Sequence, residues 1–312
     1  MNDQINENTY LEDQDMDEEL VQEDNIEESG EEIQEESQEE AQEEYNPKFV
    51  FVTGAFGGLG RAVVSELLKA GYNVFGADLN IDDSIDHESF LPIKMDVTNK
   101  ASVEYAFSVV AEYTEVLHAV INLAGILYMD SIVEGSEQKL RRIIETNFFG
   151  TYHVNQESLP FLAVDTSRII NVSSELAIFS PIPFNGFYSL SKTMVDHYTD
   201  ILRRELNFLG IRVVKVRAGS FGTDLHSKAL SEFDTLVNQT DIYKEQLIKL
   251  KKMMMNELSN AKNPAIFGKK ILKIVNAKKP KITYELNISK KLKTLNRFSE
   301  KFQDKMYLKK VR

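Results

Sequence analysis

The chain has 312 residues, neither cysteine nor tryptophan, 42% hydrophobic and 27% charged residues, and a formal net charge of -13. Such a length supports one or two domains with a full core, and the absence of cysteine excludes disulfide frameworks, thiolate metal sites and a cysteine nucleophile. No apolar run approaches the ~18 residues of a spanning helix, and the acidic start resembles neither a signal nor a transit peptide, so the cytoplasm is the expected compartment.

The charge is spread in three blocks. Residues 1–46 hold 20 Asp/Glu and no Lys or Arg, residues 241–312 hold 20 Lys/Arg against 6 Asp/Glu, and the stretch between carries -7. The first block contains a repeat, Gln34–Glu36, Gln38–Glu40 and Gln42–Glu44, whose like charges at i,i+4 repel on a helix. With few apolar residues it cannot offset its ordering entropy. A disordered acidic tail is therefore expected over 1–46, serving as a solubilising bristle, a docking segment or a screen for the basic C-terminal region.

From Lys48 the pattern alternates. Strands are predicted at Lys48–Thr53, Tyr72–Ala77, Phe90–Met95, Leu117–Asn122, Ser167–Val172 and Ile211–Val216. Helices are predicted at Leu59–Ala70 (capped by Gly71), from Thr98 or Asn99 to Tyr113, from Glu137 to Leu162 in two pieces, and at Phe187–Leu209 (ended by Gly210). Strands alternating with helices imply βαβ units, hence an α/β fold with a doubly wound parallel sheet, a Rossmann fold in one domain over 47–286. Beyond Gly219 an insertion over the sheet and further helix are expected, and 287–312 forms a basic helical extension.

Between the first strand and helix stands Thr53-Gly54-Ala55-Phe56-Gly57-Gly58-Leu59-Gly60. Glycines there permit a tight turn and let the backbone reach a pyrophosphate at the positive helix N-terminus. Asp78, 18 residues beyond Gly60, suits the hydroxyls of an adenosine ribose and repels a 2′-phosphate. No basic residue follows Asp78 immediately, so NAD is favoured over NADP.

The spacing of Gly54, Gly58 and Gly60 (TGxxxGxG) resembles that of the short-chain dehydrogenase/reductase superfamily over about 47–225. Gly54, Gly57 and Gly60 also fit GxxGxxG of its epimerase-like branch, and the later motifs choose between them. The resemblance implies that Asp96 and Val97 lie near the adenine, and that Asn122, Ala124 and Gly125 of Asn-Leu-Ala-Gly line the cofactor. It gives Asn147, in Asn-Phe-Phe-Gly, a place beside a proton-relay water. Gly219 and Thr223 match PGxxxT, with Ala218 in place of the proline.

Tyr188-Ser189-Leu190-Ser191-Lys192 is a YxxxK motif, whose i and i+4 residues share one helix face. A tyrosine pKa of about 10 is poorly matched to acid/base work near neutrality, and a neighbouring Lys192 ammonium is expected to lower it. The resemblance also places Lys192 on the nicotinamide ribose. Ser174 of Asn171-Val172-Ser173-Ser174 would orient the substrate carbonyl, with Ser173 as the alternative, since Ser174 stands 14 residues before Tyr188, one more than is common. The expected catalytic set is thus Asn147, Ser174, Tyr188 and Lys192.

The Phe/Pro-rich loop Phe179–Phe187 suits an apolar site mouth, or simple packing. The texture of this region is nearest the retinol- and steroid-dehydrogenase-like subgroup, which implies an alcohol or ketone substrate of lipophilic kind and a homo-oligomer. Ile288, Leu292, Leu295, Phe298, Phe302 and Met306 recur at helical spacing with Lys and Arg opposite. That stretch either packs on its own domain or a second subunit, or lies on anionic lipid. No motif supports nucleic-acid binding, and the five histidines lack metal-ligand spacing. A non-catalytic dinucleotide sensor or scaffold is the competing reading.

Overall fold

Successive residues of the central strands leave the sheet on opposite sides, and both sides are apolar. Val50 and Val52 of β1 (Phe49–Thr53) join one core, whereas Phe51 between them joins the other. A strand buried on both faces needs a helix layer on each, and the computed structural model, which describes residues 48–258 and 261–311, shows that arrangement. The acidic stretch 1–46 lies outside the described residues. Around β1 stand β2 (Asn73–Asp78), β3 (Phe90–Lys94), β4 (Leu117–Asn122), β5 (Arg168–Ser174), β6 (Arg212–Ala218) and β7 (Thr283–Leu286). All pairings are parallel, in the order β3-β2-β1-β4-β5-β6-β7.

Helices α1 (Gly58–Lys69) and α8 (Pro264–Val275) cover one face. The opposite face is covered by α2 (Lys100–Ala111), α4 (Gly150–Ser158) and α5 (Gly186–Asn207). Where two pieces are expected, the helix is continuous: α3 (Glu137–Ile144) runs through a π-helical turn, Glu145–Phe149, which holds Asn147, into α4. Asn99 caps α2, its side chain accepting the Ser102 N–H, and Gly71 and Gly210 end their helices with φ of +79° and +70°.

Two further expectations are corrected. A seventh strand extends the sheet: β7 is four residues, Thr-Tyr-Glu-Leu, embedded among lysines, too short to display alternation. The stretch 288–306 is two helices, α9 (Lys290–Leu295) and α10 (beginning at Glu300 and ending at Val311). The expected insertion is helical, as α6 (Asp224–Gln239) and α7 (Lys244–Leu258). All described residues belong to one compact unit.

Helix α5 is fixed to the sheet by charge. Lys215 of β6, 2% exposed, donates to Asp196 Oδ2 at 2.9 Å and Asp200 Oδ2 at 2.7 Å, and Arg217 grips Asp196 with two bonds of 2.8 Å. Removing one partner from such a buried network strands a charge, at a cost of about 3–5 kcal/mol. Asp196→Ala is therefore expected to lower unfolding stability by about 3 kcal/mol, read as a fall in urea midpoint at unchanged slope. A change under about 0.5 kcal/mol, the size typical of surface substitutions, would contradict the clamp.

Candidate active site

The strand order reverses between β1 and β4, and their carboxyl ends part there to leave a crevice. The glycine loop fills one side of it. Gly54 takes φ of +66°, and a Cβ at Gly60 would lie 1.9 Å from Gly54 O, so the chain closes this turn only without side chains. The loop delivers the N-terminus of α1, with the unpaired N–H groups and positive dipole end of a helix start. Phe56 N–H donates to Asp78 Oδ2 at 3.0 Å, which holds the carboxylate against the loop. Thr223 packs on Gly58, where an added Cβ would come within 2.7 Å of it.

The other side of the crevice is the Leu123–Gly125 turn. Thr53 Oγ1 accepts from the N–H groups of Leu123 and Ala124, both at 3.1 Å, so β1 and β4 are stitched at their ends. Asn122 itself turns its amide away into a buried triad, donating to Asn155 Oδ1 at 2.7 Å and Asn171 Oδ1 at 2.8 Å. Its side chain secures β4, and its backbone starts the turn. Asp96 Oδ1 accepts from Thr98 N–H and Oγ1, shaping the entry to α2, and Val97 is buried with its carbonyl 3.0 Å from His153 Nδ1.

Helix α5 supplies Tyr188 and Lys192. Tyr188 and Lys192 project from one face, with the Lys192 Nζ 5.9 Å from the Tyr188 ring centre and donating to Val172 O at 3.0 Å. Ser174, at the end of β5, is hydrogen-bonded to Tyr188, whereas Ser173 Oγ donates to Lys192 O at 3.1 Å behind the site. The geometry thus selects Ser174 over Ser173 as the Tyr188 partner. Buried Asn147 clasps the Ile126 backbone, accepting its N–H at 2.8 Å and donating to its carbonyl at 3.0 Å, and also donates to Ser191 Oγ at 2.9 Å. Gly125 sits where Asn147 and Lys192 converge; a Cβ there would be 3.2 Å and 3.6 Å from their polar atoms.

The expected lowering of the Tyr188 pKa by Lys192 is not found. Burial pushes the Tyr188 hydroxyl up to about 12, against the Ser174 hydrogen bond, and the Glu175 carboxylate adds to the rise. Burial pulls Lys192 down to about 8. Burial disfavours the charged form of each group, raising the tyrosine and lowering the lysine. At neutral pH the Tyr188 hydroxyl is therefore protonated, and Lys192 titrates closer to neutrality than a free lysine.

One cavity of about 1090 Å³ joins these parts. Of the expected site residues, Leu59, Gly125, Ser174, Tyr188, Lys192, Gly219 and Thr223 line it; Gly54, Phe56, Gly57, Gly60, Ala124 and Asp78 form the adjoining loop and its support. The Phe179–Phe187 loop divides its work: Ile182 and Pro183 line the cavity, whereas Phe179 and Phe187 are buried packing.

The C-terminal segment supplies a further wall. Ile288, Leu292, Leu295, Phe298, Phe302 and Met306, the helical stripe of the C-terminal segment, line the cavity opposite the α6 residue Phe233. The segment is sewn to the site at three points. Asn287 Nδ2 donates to Ser220 O at 2.5 Å, Ser289 N–H to Glu175 Oε2 at 2.6 Å, and Ser180 N–H and Oγ to Asn296 Oδ1 at 3.1 and 3.0 Å. Glu175 follows Ser174 directly, and nothing in its local sequence marks it. The stripe was visible as periodicity; its destination was not.

A model of the short chain dehydrogenase family matches residues 48–234, and the chain belongs to that family. The chain is 32% identical over 265 residues to a 3-amino-tetrahydro-pyrrolizinone reductase of Xenorhabdus hominickii, covering 80% of this chain and 91% of that one. To estradiol 17-beta-dehydrogenase 2 of Mus musculus it is 28% identical over 239 residues, covering 70% and 62%. Among solved structures, a short chain dehydrogenase/reductase from Burkholderia phymatum in complex with NAD superposes with a TM-score of 0.66 at 20% identity, covering 77% of this chain and 89% of that one. ElxO with NADP bound superposes at 0.63 and 24% identity, covering 78% and 97%. The protein is accordingly a dehydrogenase/reductase acting on alcohol or carbonyl groups. No helix among the described residues is long and apolar enough to cross a membrane.

Lys192 carries a stability signature. Its folded pKa of about 8 lies below the ordinary 10.5, so the unfolded chain binds more protons between those values and stability rises with pH across them. The burial cost is fully present below pH ~8 and relieved above it. Lys192→Met is expected to be the more stable protein at pH 7, with its advantage shrinking by pH 10 in isothermal urea melts. A pH-independent difference would contradict this.

Proposed function

We propose that the protein interconverts a lipophilic secondary alcohol and its ketone using NAD(H), with Tyr188 as the acid/base group. The observation that carries this reading is the Ser174–Tyr188 hydroxyl pair, backed by buried Lys192, at the foot of a mainly apolar cavity. The cradle fits a dinucleotide: a glycine turn with no room for side chains delivers a helix N-terminus, and Asp78 faces that turn.

Asp78 supports NAD over NADP by excluding a 2′-phosphate. Arg61, the residue after Gly60, is the one nearby cation that sequence reasoning passed over. It is occupied: its Nη2 lies 2.6 Å from Asp82 Oδ2, its Nε donates to Phe56 O at 2.8 Å, and its guanidinium lies over the Phe56 ring. The glycine loop, Asp78 and the Leu123–Gly125 turn would hold the dinucleotide, and Thr223 its nicotinamide end; bound there, the nicotinamide supplies or accepts a hydride.

Ser174 positions the substrate oxygen next to Tyr188. In reduction the Tyr188 O–H bond breaks and its proton goes to the carbonyl oxygen; in oxidation the same proton returns from the alcohol. Lys192, near its titration point, restores the Tyr188 proton from behind. Asn147 positions the Ile126 backbone and Ser191, on the turn of helix that faces Lys192. A cytoplasmic homo-oligomer remains the expected form, and exposed Phe149, Tyr152 and Ile201 on the α4 and α5 side offer a face for it.

Parallel titrations with NADH and NADPH, read by nicotinamide fluorescence, are expected to show tighter NADH binding. Tyr188→Phe is expected to keep that binding and lose turnover of its alcohol or ketone by about 10²–10⁴-fold. NADPH preference would overturn the role of Asp78. Binding without turnover on any alcohol or ketone would favour the sensor reading.

A further inference from the structure

Among the described residues that line the cavity, Glu175 is the single carboxylate. It is 8% exposed, stands between Ser174 and Leu176, and opens the one-turn helix Glu175–Ala177 that follows β5. A carboxylate is costly to bury, and an apolar side chain would line such a cavity more favourably. Its presence there calls for a role.

The backbone of Glu175 belongs to the turn that carries Ser174. The Ser174 hydroxyl accepts the Leu176 N–H at 3.2 Å, and the N–H groups of Ile178 and Phe179 both return to Glu175 O at 3.2 Å. The side chain of Glu175 reaches the other way. It accepts the Ser289 N–H at 2.6 Å, at the N-cap of α9 and 114 residues further along the chain.

The three contacts that tie the C-terminal segment to the site are unequal. Those of Asn287 with Ser220 and of Asn296 with Ser180 are exposed, where water competes for both partners. The Glu175 contact is partly buried and charge-assisted, roughly twice as strong as a neutral hydrogen bond. Helix α9 has six residues, too few to stand alone, so its place depends on such ties. It carries Leu292 and Leu295 of the apolar wall, and Phe298, Phe302 and Met306 follow it.

We propose that Glu175 is a positioning residue for the alcohol–ketone reaction. By accepting the Ser289 N–H it fixes the start of the apolar wall at one height over the Ser174 and Tyr188 hydroxyls. It thereby sets how much of a substrate's aliphatic chain is gripped while the oxygen of that substrate meets them. This rests on the oxidoreductase reading and adds the residue that links chain recognition to the reacting end.

The test uses the full-length protein, saturating NADH and a series of straight-chain 2-ketones of increasing length. For the unsubstituted protein kcat/KM is expected to rise about three- to fourfold with each methylene that reaches the wall. Glu175→Ala is expected to flatten that gradient, the longest ketones losing about tenfold or more while the shortest change by less than about twofold. Glu175→Gln keeps an acceptor for the Ser289 N–H and should restore most of the gradient. Ser289→Pro deletes the donor from the other side, at a φ of -63° that proline adopts, and should flatten the gradient as Glu175→Ala does.

A merely structural role for Glu175 predicts something else: activity falls equally at every chain length and the gradient stays. That result, a gradient unaffected by Ser289→Pro, a failure of Glu175→Gln to restore it, or no gradient in the unsubstituted protein would overturn the proposal. Each leaves the oxidoreductase reading standing, because ketones are still turned over. No turnover of any 2-ketone despite NADH binding would remove both.

Discussion

The inner face of helix α5 is clamped to the sheet by buried charge. Tyr188, Lys192, Asp196 and Asp200 stand four residues apart and so rise along one face. The upper two line the cavity, and the lower two are bound to Lys215 and Arg217 of β6. The clamp is worth little as net stability, since desolvating four charged groups offsets much of their attraction. Its value is positional. It sets the rotation of α5, and with it the height of Tyr188 over the end of β5, where Ser174 waits.

The same geometry explains the disturbed ionisation of the pair. A helix seated this deep takes Lys192 out of water, with one backbone carbonyl as its recorded hydrogen-bond partner. The ammonium survives there at a cost, which is why its pKa falls, and Tyr188 is held neutral for the same reason. Burial thus leaves Tyr188 further from neutrality than a free tyrosine and brings Lys192 closer to it. Burial created by packing, rather than charge attraction, sets this up.

Much of this was legible in the chain. The glycine loop, the Asp78 that answers it and the YxxxK helix are local signals, each set by the spacing of a few residues. Caps such as Gly71 and Gly210 are equally local. What escaped depended on contacts distant in sequence. β7 is recognisable only as the partner of β6. Asn296, which caps α9, has its side-chain oxygen taken by Ser180, 116 residues away. The turning of Asn122 into the Asn155–Asn171 triad needs three elements assembled. The Tyr188 shift failed as an expectation because spacing predicts who is adjacent, not how much water remains.

The C-terminal segment shows how such distant contacts bear on function. It is amphipathic in sequence, and its apolar face could have met a membrane, a second subunit or its own domain. The structure turns that face onto the cavity and fastens it where the chemistry is: to Glu175 beside Ser174, to Ser180 in the loop leading to Tyr188, and to Ser220 below Thr223. A wall tied to Glu175 is one covalent step from Ser174, so the apolar segment and the end of β5 are held by the same stretch of backbone.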